Sequence, residues 1–184
     1  MNTCDICHEP LKHRKSTLNE PYAYGECGLS NVLLINVDVY SCPQCGIEVA
    51  DIPSPRGLHA LLAKDILLQP LPLTGEEFRF LRKETGCKPK DFAELLGVDP
   101  KTLANWENSE SLNRQNDLSV RFLVAALLRE RHKGRLASNF FVIPDNLVAD
   151  TWEITDQEIA DLARTNTYLG ITSAGWEFGP VSAE

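Results

Sequence analysis

The middle of the chain carries apolar residues three and four positions apart, the spacing that gathers them on one face of an α-helix. One such stretch follows Ser54-Pro55, because Ser suits the position before a helix and Pro suits its first turn. A second lies between Thr74 and Gly86, where Thr74 and Glu77 form a capping box. The apolar stripes consist of Leu58, Leu61, Leu62 and Ile66 in the first helix and of Phe78 and Leu81 in the second.

Residues 88–109, KPKDFAELLGVDPKTLANWENS, predict two short helices joined by a tight turn. The first ends at Leu96, because Gly97 takes the left-handed conformation at little cost. The second begins where Asp99 can cap it and Pro100 fits its first position. The apolar face of the first helix consists of Phe92, Ala93, Leu95 and Leu96. This outline is that of a helix-turn-helix DNA reader, although such hairpins also occur in proteins that bind no DNA.

The second helix of this pair has an apolar and a polar side when its residues are placed about 100° apart. Leu103 and Trp106 share the apolar side. The opposite side suits base edges, because Lys can donate to guanine, Asn can pair with adenine, and an alanine methyl can touch a thymine methyl. The candidate DNA-binding residues are Lys101, Thr102, Ala104, Asn105 and Asn108 in this helix, with Lys88 and Lys90 at the start of the pair.

Two C-x2-C pairs, Cys4/Cys7 and Cys42/Cys45, lie in the first part of the chain. Each pair offers two thiolates on a tight turn, as tetrahedral zinc requires, and four protein thiolates leave no open position for water. We therefore expect one structural Zn²⁺ that contributes about 10–16 kcal/mol of binding free energy to folding. The alternatives are a redox-active cysteine pair and a haem attachment site, since His8 directly follows Cys7. Cys27 and Cys87 are expected to be small buried residues.

Residues 33–40 alternate between two sets of side chains before the second cysteine pair, a pattern typical of a half-buried strand. Residues 12–18 are its expected antiparallel partner, which gives a small zinc ribbon or knuckle. One set consists of Leu33, Ile35, Val37 and Val39, and the other of Leu34, Asn36, Asp38 and Tyr40.

The segment LSVRFLVAALLRERHKG predicts a last helix of about 16 residues that ends at Gly134. Its apolar residues form two stripes, and one helix of a small bundle cannot bury both. Covering the second stripe in a two-fold dimer is one solution, and covering it with the C-terminal tail is the other. The first stripe is Leu118, Phe122, Ala125 and Leu128, and the second is Val120, Leu123, Val124 and Leu127.

The net charge of −8 is unevenly distributed: −3 over residues 1–72, +2 over residues 73–138 and −7 over residues 139–184. The basic residues therefore collect around the predicted DNA reader. No apolar run reaches the length of about 20 residues needed to cross a bilayer, and the N-terminus resembles no signal peptide, so a cytoplasmic protein is expected. The cysteines stand among no cluster of catalytic His, Asp or Glu, which argues against an enzyme.

The segments FAELLGV (92–98) and TLANWEN (102–108) resemble the Xre/lambda-repressor type of helix-turn-helix. Together with the preceding cysteine unit, they resemble the MqsA family of antitoxins, which carry a YgiT-type zinc finger in front, over roughly residues 1–134. The resemblance implies that Cys4, Cys7, Cys42 and Cys45 hold one zinc ion, that the zinc domain binds an endoribonuclease toxin of the MqsR kind, and that the protein dimerises and represses its own operon. The alternative is a stand-alone regulator whose zinc domain or acidic tail binds another protein.

The expected fold is therefore a two-domain α+β protein. Residues 1–72 form a zinc-binding domain with a small β zinc ribbon or knuckle and a C-terminal helix, and the proline-rich segment 69–72 ends it as a stiff spacer. Residues 73–138 form an all-α, Xre-like helix-turn-helix bundle. Residues 139–184 form an acidic extension, whose six aromatic side chains argue against a purely solvated tail.

Overall fold

The computed structural model describes residues 3–131, 167–172 and 175–179. This part of the chain has a mixed α+β fold with five α-helices and two small sheets. The chain divides into two compact units, residues 1–58 with 165–184, and residues 59–164. The division lies before the proline-rich segment 69–72, which belongs to the second unit.

Two sheets make up the described part of the first unit. One is antiparallel with the strand order β1-β4-β5, and the other has the order β2-β3-β6-β7. Residues 12–15 pair antiparallel with residues 38–41. The predicted antiparallel pairing of residues 12–18 is therefore confirmed for its first four residues. The strands are β1 (Lys12–Lys15), β2 (Tyr22–Ala23), β3 (Val32–Ile35), β4 (Asp38–Ser41), β5 (Glu48–Asp51), β6 (Thr167–Thr172) and β7 (Gly175–Phe178).

The prediction of one continuous strand over residues 33–40 is wrong. The chain instead forms β3 and β4, which belong to different sheets. Asn36 separates them with a backbone φ of 62°, and its N–H donates to the Ser16 carbonyl at 2.9 Å. The burial pattern shifts near the same point, since the even-numbered Val32 and Leu34 are buried before it and the odd-numbered Val37 and Val39 are buried after it. A left-handed residue thus redirects the chain from one sheet to the other.

Part of the acidic extension belongs to the first unit. The β6–β7 hairpin lies beside β3, and β6 pairs with it in parallel, with Leu34 opposite Leu169. Leu169 is fully buried, and the Trp176 indole N–H donates to the Pro53 carbonyl at 2.7 Å. These residues therefore pack on the first unit, in agreement with the expectation that the extension is not purely solvated.

The five helices are α1 (Pro55–Leu68), α2 (Gly75–Thr85), α3 (Pro89–Leu96), α4 (Pro100–Trp106) and α5 (Arg114–Arg131). The capping box of Thr74 and Glu77 is present, and Gly86 ends α2 with a φ of 77°. The predicted C-cap of α3 at Gly97 and the N-cap of α4 at Asp99 are also confirmed. None of the helices in the described part of the chain is long and apolar enough to cross a membrane.

The last described helix differs from its prediction in start and in orientation. It begins at Arg114, because the Asn113 side chain accepts from the Asn116 N–H at 3.0 Å and supports an earlier first turn. Val120 and Val124, which belong to the stripe expected to be covered by a second chain or by the tail, are fully buried within the described part of this chain. Phe122 is instead 42% exposed. The predicted helix end at Gly134 lies outside the described residues.

A buried ion pair, not foreseen from the sequence, fixes α5 to the end of α1. Arg121 is almost fully buried and its Nε donates to the Asp117 carboxylate at 2.9 Å. Its guanidinium also donates to the carbonyls of Ile66, Leu67 and Leu71, each within 2.8 Å. Asp117 in turn accepts from the Leu73 N–H at 2.7 Å. The last turn of α1 and the proline-rich segment are therefore held by α5.

Candidate metal centre and nucleic-acid interface

The four predicted metal ligands come together in the first unit. The Sγ atoms of Cys4, Cys7, Cys42 and Cys45 all lie within 4.8 Å of one another. Across the two pairs, Cys7 Sγ lies 3.3 Å from Cys42 Sγ and Cys4 Sγ lies 3.6 Å from Cys45 Sγ. Four sulfurs around a tetrahedral metal with bonds of about 2.3 Å stand roughly 3.8 Å apart. The cluster therefore has the size of a four-thiolate metal site.

Each C-x2-C segment folds into the same hairpin turn, here called a knuckle: residues 4–9 form the first and residues 42–47 the second. In the first, the His8 N–H donates to the Cys4 carbonyl and the Cys4 N–H donates to the Glu9 carbonyl. In the second, Gly46 and Ile47 make the same bonds with Cys42. The first cysteine of each knuckle is buried, while Cys7 is half-buried and Cys45 exposed.

Backbone N–H groups within each knuckle favour thiolates. The N–H groups of Cys45 and Gln44 lower the pKa of Cys42 to about 6, and those of Cys7 and Ile6 lower the pKa of Cys4. The Glu9 N–H also favours the Cys7 thiolate, but the bond to Cys42 and burial outweigh it and raise the pKa of Cys7 to about 12. The pKa of Cys45 is raised in the same way, against the effect of the Ile47 N–H. Without a cation, the thiolates thus oppose one another's ionisation.

The backbone of the first knuckle explains why a histidine follows Cys7, as it does in a haem attachment motif. His8 takes the position that Gly46 takes in the second knuckle, and both residues have positive φ, 60° and 74°. His8 is exposed and its neighbour Cys7 belongs to the four-sulfur cluster. Cys27 is buried, as predicted, and its thiol donates to the Tyr24 carbonyl at 3.1 Å. Cys87 is half-buried.

The helix pair α3–α4 positions most of the predicted DNA-binding residues at the surface. Lys101, Ala104 and Asn105 are exposed on α4, whereas Leu103 of the same helix is 1% exposed. Lys88 and Lys90 are exposed at the start of α3, and Thr102 is half-buried. Among the described residues, these side chains form one polar face on α4 with two further lysines at the beginning of the helix pair.

Three side chains in the helix pair depart from the expected pattern. Leu95 was predicted to be in the core, but it is 56% exposed. Trp106 is only half-buried, with its ring centroid 6.4 Å from that of Phe78. The Asn108 side chain is exposed but already engaged, since its Nδ2 donates to the Ala104 carbonyl and its Oδ1 accepts from Arg79, both at 2.7 Å. Both polar atoms of the Asn108 side chain therefore stabilise the end of α4, which makes Asn108 a weaker candidate for a DNA contact than Lys101 or Asn105.

The end of α4 is fixed to α2 by charged and backbone contacts that the sequence did not reveal. Glu107 receives hydrogen bonds from Arg82 at its carboxylate and from Arg79 at its carbonyl. The Gly75 N–H donates to the Ser109 carbonyl, and a Cβ on Gly75 would lie 2.6 Å from the Glu107 carbonyl oxygen. Only glycine permits this approach. The arginines at positions 79 and 82, one turn apart on a predicted helix, are the signal that could have suggested it.

Comparisons of the chain with family models, with curated proteins and with solved structures found no match.

Proposed function

We propose that this protein is a zinc-stabilised, sequence-specific DNA-binding protein that represses transcription. The observation that carries the proposal is the polar face of α4, on which Lys101, Ala104 and Asn105 are exposed above a buried Leu103. Helices of this size enter the major groove, where these three residue types distinguish base pairs. Support for a fixed reading helix comes from the Arg82–Glu107 pair, since base readout requires a rigid presentation of side chains.

Zinc is the ion that we assign to the four-cysteine cluster. Four thiolates at tetrahedral spacing are the donor set of structural zinc sites, and harder cations such as Mg²⁺ and Ca²⁺ prefer oxygen ligands. Cys4, Cys7, Cys42 and Cys45 would hold the ion. Bound there, it would join the two knuckles and supply folding free energy rather than reactivity, because no coordination position stays open.

The further proposal is that the protein is the antitoxin of a type II toxin–antitoxin pair, which binds its own operator as a homodimer and neutralises an RNase toxin through its N-terminal unit. Exposed apolar side chains support protein contacts on both units. Ile6 in the first knuckle is 66% exposed, and Phe122 on α5 is 42% exposed. Ile6 equally supports the alternative, a stand-alone regulator whose metal-binding unit or acidic tail contacts another protein.

Selection from a random pool of duplex DNA tests the DNA-binding proposal without knowledge of an operator. The wild-type protein should enrich a single motif, with two half-sites if it binds as a dimer. The Lys101→Ala/Asn105→Ala variant should enrich no motif. A matched control, Lys12→Ala/Asn19→Ala, removes the same two residue types from exposed positions of the other unit and should retain the motif. Failure of the wild-type protein to enrich any motif would overturn the proposal.

Co-expression with the neighbouring gene separates the antitoxin from the stand-alone regulator. If the gene product arrests growth when expressed alone and this protein relieves the arrest, the antitoxin proposal is supported. If the neighbouring product is harmless, or its toxicity persists in the presence of this protein, the stand-alone regulator is the better description.

A further inference from the structure

Two short sulfur–sulfur contacts in the cysteine cluster run between the knuckles. Cys7 Sγ lies 3.3 Å from Cys42 Sγ, and Cys4 Sγ lies 3.6 Å from Cys45 Sγ. A disulfide bond needs about 2.05 Å, so each of these pairs would have to close by only about 1.3–1.6 Å. The chain itself could therefore replace a metal ion as the link between residues 4–9 and residues 42–47.

Each of these pairs joins one solvent-accessible cysteine to one buried cysteine. Cys45 is exposed and contacts the sulfur of buried Cys4, while half-buried Cys7 contacts the sulfur of buried Cys42. An oxidant arriving from solvent would therefore reach Cys45 and Cys7 first. In both cases a shielded thiolate on the other knuckle stands ready to attack the oxidised sulfur, which is the arrangement of redox-sensing cysteine pairs.

We propose that this cluster is a redox-sensitive closure, in which oxidation by a peroxide replaces the metal ion with two disulfide bonds between the knuckles, Cys7–Cys42 and Cys4–Cys45. The proposal rests on the metal centre assigned above and adds its regulation. In the reduced state the ion joins the knuckles. In the oxidised state the disulfides join the same residues, so the first unit keeps its connection and loses its metal.

The chemistry balances with hydrogen peroxide as the oxidant. The accessible thiolate attacks one peroxide oxygen, the O–O bond breaks, and a sulfenic acid and hydroxide form. The buried thiolate then attacks the sulfenic sulfur and expels a second hydroxide, which leaves a disulfide. Two protons from solvent convert the two hydroxides to water. Two such events consume two peroxides and four protons, oxidise four thiolates, and release one divalent ion.

Backbone hydrogen bonds keep the sulfurs in place while this happens. The N–H groups of Ile6 and Cys7 point to Cys4 Sγ, and those of Gln44 and Cys45 point to Cys42 Sγ. These bonds belong to the knuckle turns and do not depend on a metal. The buried thiolates should therefore remain opposite their accessible partners after the first oxidation, which favours disulfides over further oxidation to sulfinic acid.

The test uses the full-length protein loaded with zinc and treated with hydrogen peroxide. A chromophoric chelator measures released zinc, a thiol count in denaturant measures the remaining cysteines, and tandem mass spectrometry of non-reduced peptides maps the disulfides. We expect one equivalent of zinc released, a fall from six thiols to the two of Cys27 and Cys87, and links 7–42 and 4–45. A thiol reductant with added zinc should restore the starting state.

Links within a knuckle, 4–7 and 42–45, would overturn the proposal, as would sulfinic or sulfonic acids without disulfides, or full retention of zinc. A protein that holds no zinc before oxidation would contradict the metal centre of the proposed function. In that case the disulfide map of the metal-free protein would still decide between pairing across the knuckles and pairing within them, so the two failures are distinguishable.

Two double variants provide a matched comparison of geometry. Cys4→Ser/Cys45→Ser leaves the close pair Cys7 and Cys42, whereas Cys4→Ser/Cys42→Ser leaves the accessible pair Cys7 and Cys45. Both lack half of the metal ligands and both keep the accessible Cys7, so the informative step is the closure of its sulfenic acid. This closure, followed as loss of trappable sulfenic acid after one equivalent of peroxide, should be at least 10-fold faster in the first variant. Equal rates would contradict the proposed pairing, and the wild-type map decides the question if either variant fails to fold.

Discussion

His8 and Gly46 show how single residues determine the metal-binding unit. Both occupy the position after the second cysteine of a knuckle, and both have a left-handed backbone, with φ of 60° and 74°. That conformation costs a residue with a Cβ atom roughly 1–2 kcal/mol and costs glycine almost nothing sterically. The first knuckle therefore carries local strain that the second knuckle lacks, and the His8 side chain makes no hydrogen bond in the described part of the chain.

Exchanging the residues at these two positions gives opposite expected results. His8→Gly should leave the free energy of unfolding of the zinc-loaded protein unchanged or raise it by up to about 1 kcal/mol, because it removes the strain. Gly46→Ala should lower it by about 1–2 kcal/mol, because it introduces the same strain. Urea denaturation followed by circular dichroism measures both. A marked loss of zinc or stability in His8→Gly would mean that His8 contributes a ligand or a bond.

At the level of secondary structure, Arg121 of α5 makes the buried contact that joins this helix to the end of α1. One guanidinium, with 1% of its side chain exposed, connects Asp117 to three carbonyls from the end of α1 and the segment after it. No buried side-chain nitrogen or oxygen in the described residues lacks a hydrogen-bond partner, so this pair is fully satisfied. Removing one partner of such a buried ion pair strongly destabilises the fold, because the remaining charge stays buried without compensation.

Replacing Arg121 should therefore be far more damaging than replacing an exposed arginine of the same helix. Arg121→Met keeps most of the side-chain volume but leaves Asp117 without its countercharge and three carbonyls without their donor, so we expect a loss of about 3–5 kcal/mol in the free energy of unfolding. Arg129→Met, at an exposed position, should change it by less than about 0.5 kcal/mol. A loss below about 1 kcal/mol in Arg121→Met would show that the pair contributes little.

Elements with local determinants were predictable, and those with distant partners were not. The caps at Thr74, Gly97 and Asp99 were correctly predicted because a cap depends on residues within one turn. The pairing of β3 with β6 was missed because its partner lies over 130 residues away along the chain. The break at Asn36 was missed because alternation continues through it. Arg121 resembled an exposed arginine until the carbonyls beside it were located.

The four candidate metal ligands were predictable because two C-x2-C pairs supply the four thiolates of a tetrahedral metal site. Their approach to within 4.8 Å was implied by the spacing, but the pairing of Cys7 with Cys42 was not. On α4, the outward direction of Lys101 and Asn105 followed from helical periodicity. The engagement of Asn108 by Arg79 could not be predicted, because it depends on how α2 and α4 pack.

At the scale of the whole molecule, both compact units bury an apolar core, and the cysteine cluster lies in the first. Residues 59–131 bury Phe78, Leu81, Phe92, Leu103 and Val124, among others. In the first unit, Val32, Leu34 and Val39 are buried, and the two knuckles carry the four cysteines. Metal binding should thus affect the first unit far more than the helices of the second.

Acid should consequently destabilise the first unit selectively. Metal-bound thiolates hold no protons, whereas free thiols of the unfolded chain, with pKa about 8.5, are protonated below that pH. Stability therefore falls as the pH falls from about 8.5. At pH 7.5, zinc binding to the folded chain should release protons, chiefly from Cys7 and Cys45, whose pKa values are raised, since Cys42 with a pKa of about 6 is already ionised.

Calorimetric titration with zinc in buffers of different ionisation enthalpy measures this proton release, and hydrogen exchange at pH 7.5 and 5.5 locates the effect. Protection of β1, β4 and β5 should decrease on acidification in the presence of zinc, while α2 and α4 stay protected. Equal loss of protection in both units, or zinc binding without proton release, would contradict the assignment of the cluster as the metal site.

The most direct test of the central claim, that α4 reads DNA, is fluorescence anisotropy on the DNA upstream of the protein's own gene at several salt concentrations. We expect tight binding by the wild-type protein and by the Lys12→Ala/Asn19→Ala control, with much weaker binding to unrelated DNA. Lys101→Ala/Asn105→Ala should lose about 2–6 kcal/mol of binding free energy and lower the salt dependence by about one counterion. Equal binding by both double variants, or no preference for the upstream DNA, would contradict it.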